Sequence, residues 1–61
     1  MKQFQLTDPK DNMTVALFWC REYNTARCIA YELAKELRSD LEMYEISDLH
    51  ACHCELIFGG K

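Results

Sequence analysis

The chain has 61 residues, of which 49% are apolar and 28% charged, with two glycines and one proline. This length accommodates a single domain, residues 1–61, and the apolar content is typical of a globular protein rather than a disordered one. The net charge of −3 gives no general attraction to nucleic acid or to an anionic membrane. No apolar run approaches the roughly 20 residues that a membrane-spanning helix needs.

The first residues, MKQFQLTDPKDN, contain no apolar segment of the kind found in a secretory signal. We therefore expect a cytoplasmic protein whose four cysteines are reduced thiols. An even cysteine count also occurs in secreted disulfide scaffolds, but the periodic helix described below is typical of an ordinary apolar core.

The first third of the sequence predicts a β-hairpin. Residues 2–6 alternate in polarity, with Phe4 and Leu6 on one side of a short strand. Residues 7–12 follow, and their proline, aspartates and asparagine favour a turn. Residues Met13–Cys20 then predict the second strand.

This second strand is apolar on both sides, as strands covered on both faces normally are. One helix covers only one face of a sheet, so one side of the strand should remain uncovered. The two sides are Val15, Leu17 and Trp19 on one, and Ala16, Phe18 and Cys20 on the other.

Residues 24–38 predict an amphipathic helix. We expect Asn24 to cap its first turn through the side-chain oxygen, and Cys28 to face solvent about 160° from the apolar stripe. The predicted stripe consists of Ala26, Ile29, Ala30, Leu33 and Leu37.

Residues 41–46 predict a third strand that is again apolar on both sides. Leu41 and Met43 point one way, and Tyr44 and Ile46 point the other. Aromatic side chains thus occur on both of the central apolar strands.

The segment 48–58 fits either a helix or a strand. A helix would begin at Asp48 and end before Gly59. A strand would place Cys52, Cys54, Leu56 and Phe58 on one face. We favour a strand at residues 55–58, although period alone does not distinguish short apolar runs.

These elements predict a small α+β domain with the order ββαβ(β), in which one amphipathic helix packs on one face of a short sheet. No phosphate-binding glycine loop, nucleophile elbow or apolar pair of carboxylates is present. We therefore expect no catalytic residues and no cofactor.

A cluster of cysteine and histidine residues raises the possibility of a metal or thiol centre. The candidate ligands are Cys20, His50, Cys52 and Cys54. Their spacing differs from the two-to-four-residue knuckles of structural zinc sites, and cysteine also serves as a small core residue. A metal- or thiol-dependent protein is therefore the alternative hypothesis.

The uncovered apolar strand face favours association with a protein as the function. We expect a small non-enzymatic interaction, inhibitor or accessory module that binds a protein partner or forms a homodimer, with no role for nucleic acid or membrane. The predicted interface residues are Phe18, Trp19, Met43 and Tyr44.

Overall fold

The computed structural model describes residues 1–60 and confirms the predicted α+β architecture. Within these residues, four antiparallel strands form one sheet in the order β2-β1-β3-β4. The helix packs against one face of that sheet. The elements are β1 (Lys2–Asp8), β2 (Met13–Cys20), α1 (Tyr23–Leu37), β3 (Leu41–Ser47) and β4 (His50–Ile57).

Strand register determines which residues face the helix. Phe4 of β1 lies opposite Phe18 of β2 and Glu45 of β3, while the next residue, Gln5, lies opposite Leu17 and Tyr44. Partners in antiparallel strands share a face, and successive residues alternate between faces. The side chains of β2 that face the helix are therefore Ala16, Phe18 and Cys20, and the opposite set faces away.

The core lies between the helix and one face of the sheet. Large side chains from the strands fill it, and the fully buried helix residues are alanines, with Tyr23, Tyr31 and Leu33 packed at the margin of the core. This pattern lets the helix approach the sheet closely. The buried apolar residues are Phe4, Leu6, Cys20, Ala26, Ala30, Ala34, Leu41, Met43 and Ile57.

Two details of the predicted helix were wrong. The cap position is Glu22, which makes no side-chain capping bond, so Asn24 lies inside the first turn rather than before it. Tyr23 is the first helix residue, and its ring packs on Phe4, with the ring centroids 6.1 Å apart. Ala34 was missing from the predicted stripe although it is fully buried, whereas Ile29 is 43% exposed. Cys28 is exposed, as predicted.

The helix has one side toward β4 and one toward β2. Arg27 forms an ion pair with Glu55 of β4 and lies over the ring of Tyr31, so these helix residues mark the β4 side. Ile29 and Leu33 lie about 60–100° of rotation to the other side of the alanine stripe. They therefore face the β2 side of the molecule.

The tail forms a strand, but a bulge changes its faces. The register between β3 and β4 shifts at Met43–Tyr44, and Cys54 is the additional residue. Cys52 consequently shares the helix side of the sheet, while Leu56 lies on the opposite face. The prediction that these two residues share a face with Cys54 was wrong, because strict alternation does not anticipate a bulge.

The hairpin between β3 and β4 turns through two residues with positive φ, 49° at Asp48 and 67° at Leu49. Tight two-residue turns of this type favour glycine, asparagine or aspartate at such positions. Leucine there is strained, and the Leu49 side chain is 99% exposed, so no packing offsets the strain.

Replacing Leu49 with glycine should stabilise the protein by about 1 kcal/mol, because glycine adopts positive φ without steric conflict. Thermal unfolding should show a melting temperature raised by about 4–8 °C for a domain of this size. Leu49→Ala is the matched control, since it removes the exposed side chain but keeps a Cβ at positive φ. An equal gain in both variants would contradict backbone strain as the cause.

Candidate interaction surface

The sheet face opposite the helix is not covered by any of the described residues. Strand register arranges its side chains in three rows that cross the sheet from β2 to β4. The rows are Trp19–Gln3–Ile46–Ala51, Leu17–Gln5–Tyr44–His53 and Thr14–Thr7–Glu42–Leu56. We call this surface the open face.

Large apolar side chains on the open face are most exposed at β2. Trp19 is 62% exposed and Leu17 is 57% exposed, and Val15 at the adjacent bulge is also exposed. We call Val15, Leu17 and Trp19 the β2 patch. Alternation along the strand predicted that one of two sets of β2 side chains would be uncovered, and the β2 patch is one of those two sets.

The centre of the open face is polar and internally bonded. The Gln5 side-chain amide donates to the Thr14 hydroxyl at 2.8 Å, and Gln3 occupies the equivalent place in the neighbouring row. This hydrogen bond joins side chains of β1 and β2, so these polar groups need no hydrogen bond from a partner protein. The apolar β2 patch is therefore separated from β4 by a polar strip.

The β4 side of the open face is tied together by its own contacts. The ring of His53 packs edge-on against Tyr44 at 5.2 Å, and its imidazole pairs with the carboxylate of Glu42. Tyr44 and Ile46 are only half exposed. This half presents less accessible apolar surface than the β2 patch does.

The four predicted interface residues divide between the two faces. Trp19 and Tyr44 lie on the open face, whereas Phe18 and Met43 lie on the face that the helix covers. Met43 is fully buried in the core, and Phe18 stacks on Phe4. Leu17 was not among the predicted interface residues. Its spacing of two residues from Trp19 on the same strand is the signal that identifies it.

The structure does not bring the candidate metal ligands together. Cys20 lies on β2 at one edge of the sheet, and Cys52 and Cys54 lie on β4 at the other. Three inter-strand spacings separate these edges, or roughly 14 Å. Across residues 1–60, no three histidine, cysteine, aspartate or glutamate side chains are grouped so as to hold a metal ion.

All four cysteines are free thiols, and their settings give little support for thiol chemistry. Burial raises the pKa of the Cys54 thiol above its ordinary value, with the nearby Glu45 carboxylate adding to the effect. A higher pKa lowers the fraction of the reactive thiolate. Cys28 is exposed on the solvent side of the helix, remote from the sheet that carries the other three.

A cleft of about 500 Å³ lies at the end of the molecule where the helix stops. One carboxylate oxygen of Asp40 accepts the backbone N–H groups of Gly59 and Gly60, each at 3.0 Å, and these bonds lower the pKa of Asp40. The carboxylate is thus already engaged in anchoring the chain after β4. The cleft is lined by Pro9, Lys10, Arg38, Ser39, Asp40, Phe58, Gly59 and Gly60.

The described residues contain no helix with the length and apolar content needed to cross a bilayer, and α1 itself has 15 residues. No family model matches the chain. No curated protein and no solved structure matches it either.

Proposed function

We propose that this chain is a non-enzymatic protein-interaction module that associates through the β2 side of its open face. The observation that carries the proposal is the exposure of Trp19 and Leu17 on one side of one strand. Burial of a large apolar side chain contributes about 1.5–3 kcal/mol, so exposing both forfeits much of what so small a domain has available. A partner that covers them recovers this free energy.

Residue type supports the same proposal. Tryptophan is among the residues that contribute most when an interface forms around them. Here Leu17 lies two residues before it on the same side of the strand, and apolar residues are typical of the centre of an interface. The partner is a protein in this proposal, because the net charge of −3 and the acidic Glu42 on the same face oppose nucleic acid.

A homodimer is the simplest form of the association, since one patch that meets itself closes under two-fold symmetry. An inhibitor or accessory role is the kind of function that such a module serves. The cytoplasm is the proposed setting, because reducing compartments keep thiols free and all four cysteines here are unpaired.

The test compares Trp19→Glu with Phe58→Glu by sedimentation. Both positions are exposed aromatic side chains, at 62% and 66%, but Phe58 follows β4 and lines the cleft at the end of the helix. Wild type and Phe58→Glu should self-associate, and Trp19→Glu should remain a folded monomer. A wild type that stays monomeric at high concentration, or equal association by all three proteins, would overturn the proposal.

A further inference from the structure

We infer that the partner is a second copy of this chain and that the two copies join along the outer edge of β2. The inference rests on the proposed function and specifies its geometry. Two antiparallel β2 strands, related by a two-fold axis, would convert two four-stranded sheets into one of eight strands. The open faces of the two copies would then be continuous.

The edge of β2 is regular over residues 16–20, because its one bulge lies nearer the start of the strand, at Val15. Within residues 1–60, β2 pairs only with β1, so its outer backbone groups have no strand partner. Its eight residues, MTVALFWC, include no charged residue and no proline. Edge strands of proteins that remain monomeric usually carry lysine, proline or another blocking feature, and an exposed apolar edge recruits a further strand.

The opposite edge carries such features. Cys54 forms a bulge in β4, which disturbs the spacing of backbone groups along that edge. Glu55 of the same strand is held by Arg27, and His53 is paired with Glu42. Both edge strands contain a bulge, but only β4 carries a charged residue, so the contrast in charge points to β2 as the edge that is left open for a partner.

Apolar side chains flank the β2 edge on both faces of the sheet. Leu17 and Trp19 lie on the open face, while Ile29 and Leu33 lie on the β2 side of the helix. Ile29 is exposed although it belongs to an amphipathic helix. A second copy at this edge would cover its side chain with the corresponding helix, and it would bring Leu17 and Trp19 of both copies side by side.

The size of a stable interface requires all of these surfaces. A standard protein interface buries about 800 Å² per partner. The accessible surface of the described protein is 4377 Å², so such an interface would take nearly a fifth of it. A strand edge alone presents too little surface, so the helix flank and the β2 patch would have to be covered together with the edge.

Charges at the two ends of β2 favour the antiparallel arrangement of two copies. The turn before the strand carries Asp8, Lys10 and Asp11, with a net charge of −1. The other end carries Arg21, Glu22 and Lys2 of β1, with a net charge of +1. Among residues 1–60, Arg21 makes no ion pair. A two-fold axis near the middle of the strand brings the acidic end of each β2 toward the basic end of the other, so unlike charges approach at both ends.

Adjacent helix residues provide a matched test. Ile29 and Cys28 are both exposed, but Ile29 lies toward β2 and Cys28 points away from the sheet. Ile29→Lys should weaken self-association by about tenfold or more, which corresponds to 1.4 kcal/mol per factor of ten. Cys28→Lys should leave it unchanged, and circular dichroism should show both variants folded. Equal effects, or no effect of Ile29→Lys, would overturn the β2-edge dimer.

Hydrogen exchange of the wild type tests the same geometry without substitution. Raising the protein concentration should slow amide exchange along β2 and leave the edge amides of β4 unchanged, because only β2 gains backbone partners. A dimer whose β2 amides exchange at the monomer rate would contradict edge pairing and leave the proposed function standing. A protein that is monomeric at every concentration would overturn both.

Discussion

Replacing Phe18 with glutamate should unfold the protein, whereas the same change at the adjacent Trp19 should leave it folded. Phe18 faces the helix and stacks on Phe4, with ring centroids 5.9 Å apart. Phe18 is partly buried against the core, so its loss removes part of the roughly 3–5 kcal/mol that a fully buried phenylalanine contributes, and a charge placed there is partly desolvated. A domain of this size has a free energy of unfolding of about 3–9 kcal/mol in total. Phe18→Glu should therefore abolish most of it.

Trp19 differs only in the side of the strand that it occupies. Its side chain is mostly exposed, so a charge there meets solvent rather than the core. Chemical denaturation followed by circular dichroism should find Trp19→Glu with a cooperative transition near that of the wild-type monomer. If both variants unfold, Trp19 contributes to the core and the assignment of faces is wrong. If Phe18→Glu remains fully folded, the helix does not pack on this side of β2.

Gly59→Ala should destabilise the protein by about 2–3 kcal/mol, because the site has no room for a methyl group. A Cβ at Gly59 would lie 2.4 Å from the Cβ of Ala34 and 2.6 Å from its carbonyl carbon. The second of these is helix backbone, which cannot rotate away. Neither glycine of this segment has positive φ, so the expected effect comes from space rather than from backbone conformation.

Gly60→Ala is the matched control for this change. A Cβ at Gly60 would lie 3.2 Å from Oδ1 of Asp40 and 3.7 Å from its backbone nitrogen, so a movement of a few tenths of an ångström by the side chain would accommodate it. The loss should be under about 1 kcal/mol, as for most surface substitutions. Urea unfolding of both variants measures the difference. Equal stabilities would show that the chain after β4 does not pack against the helix as described.

The spacing of apolar residues and the residue types in the turns were sufficient to predict the order of elements, because each strand and the helix carries its own local pattern. Pro9 and Asn12 mark the first hairpin, and Asn12 adopts the positive φ of 59° that asparagine tolerates. The second hairpin was harder to predict. Its turn residues, Asp48 and Leu49, do not resemble the glycine-containing pairs that such turns favour, so the sequence carried no clear signal there.

The period located the core-facing stripe of the helix only in part, since the predicted Ala26 and Ala30 are buried but Ala34 was missed. Ala26, Ala30 and Ala34 form one stripe at i, i+4 and i+8, and Ile29 and Leu33 belong to a second stripe that overlaps it. A pattern based on hydrophobicity assigns Ile29 and Leu33 to the core-facing stripe as well, because their side chains are larger and more apolar than alanine. The sheet already fills the core with residues of large volume, so only alanines fit beneath the helix. This competition for space is tertiary and is not visible in one segment.

The open face could be predicted only in part, because strand alternation identifies two faces but not the one that the helix covers. An apolar pattern on both sides of β2 indicated that one side would be uncovered, but alternation alone did not say which side. Met43 and Tyr44 are sequence neighbours on one strand, so they point to opposite faces and only one of them could belong to the open face. The bulge at Cys54 likewise required the pairing with β3, a non-local feature.

Trp19 is the single tryptophan of the chain, and its fluorescence reports directly on whether the β2 patch is covered. The decisive measurement is its emission wavelength and its quenching by acrylamide through a dilution series of the wild-type protein. At high concentration the emission should be blue-shifted and protected from quencher, and on dilution it should shift to the red and become accessible, with the far-ultraviolet spectrum unchanged. Emission typical of an exposed indole at every concentration would contradict association through this surface.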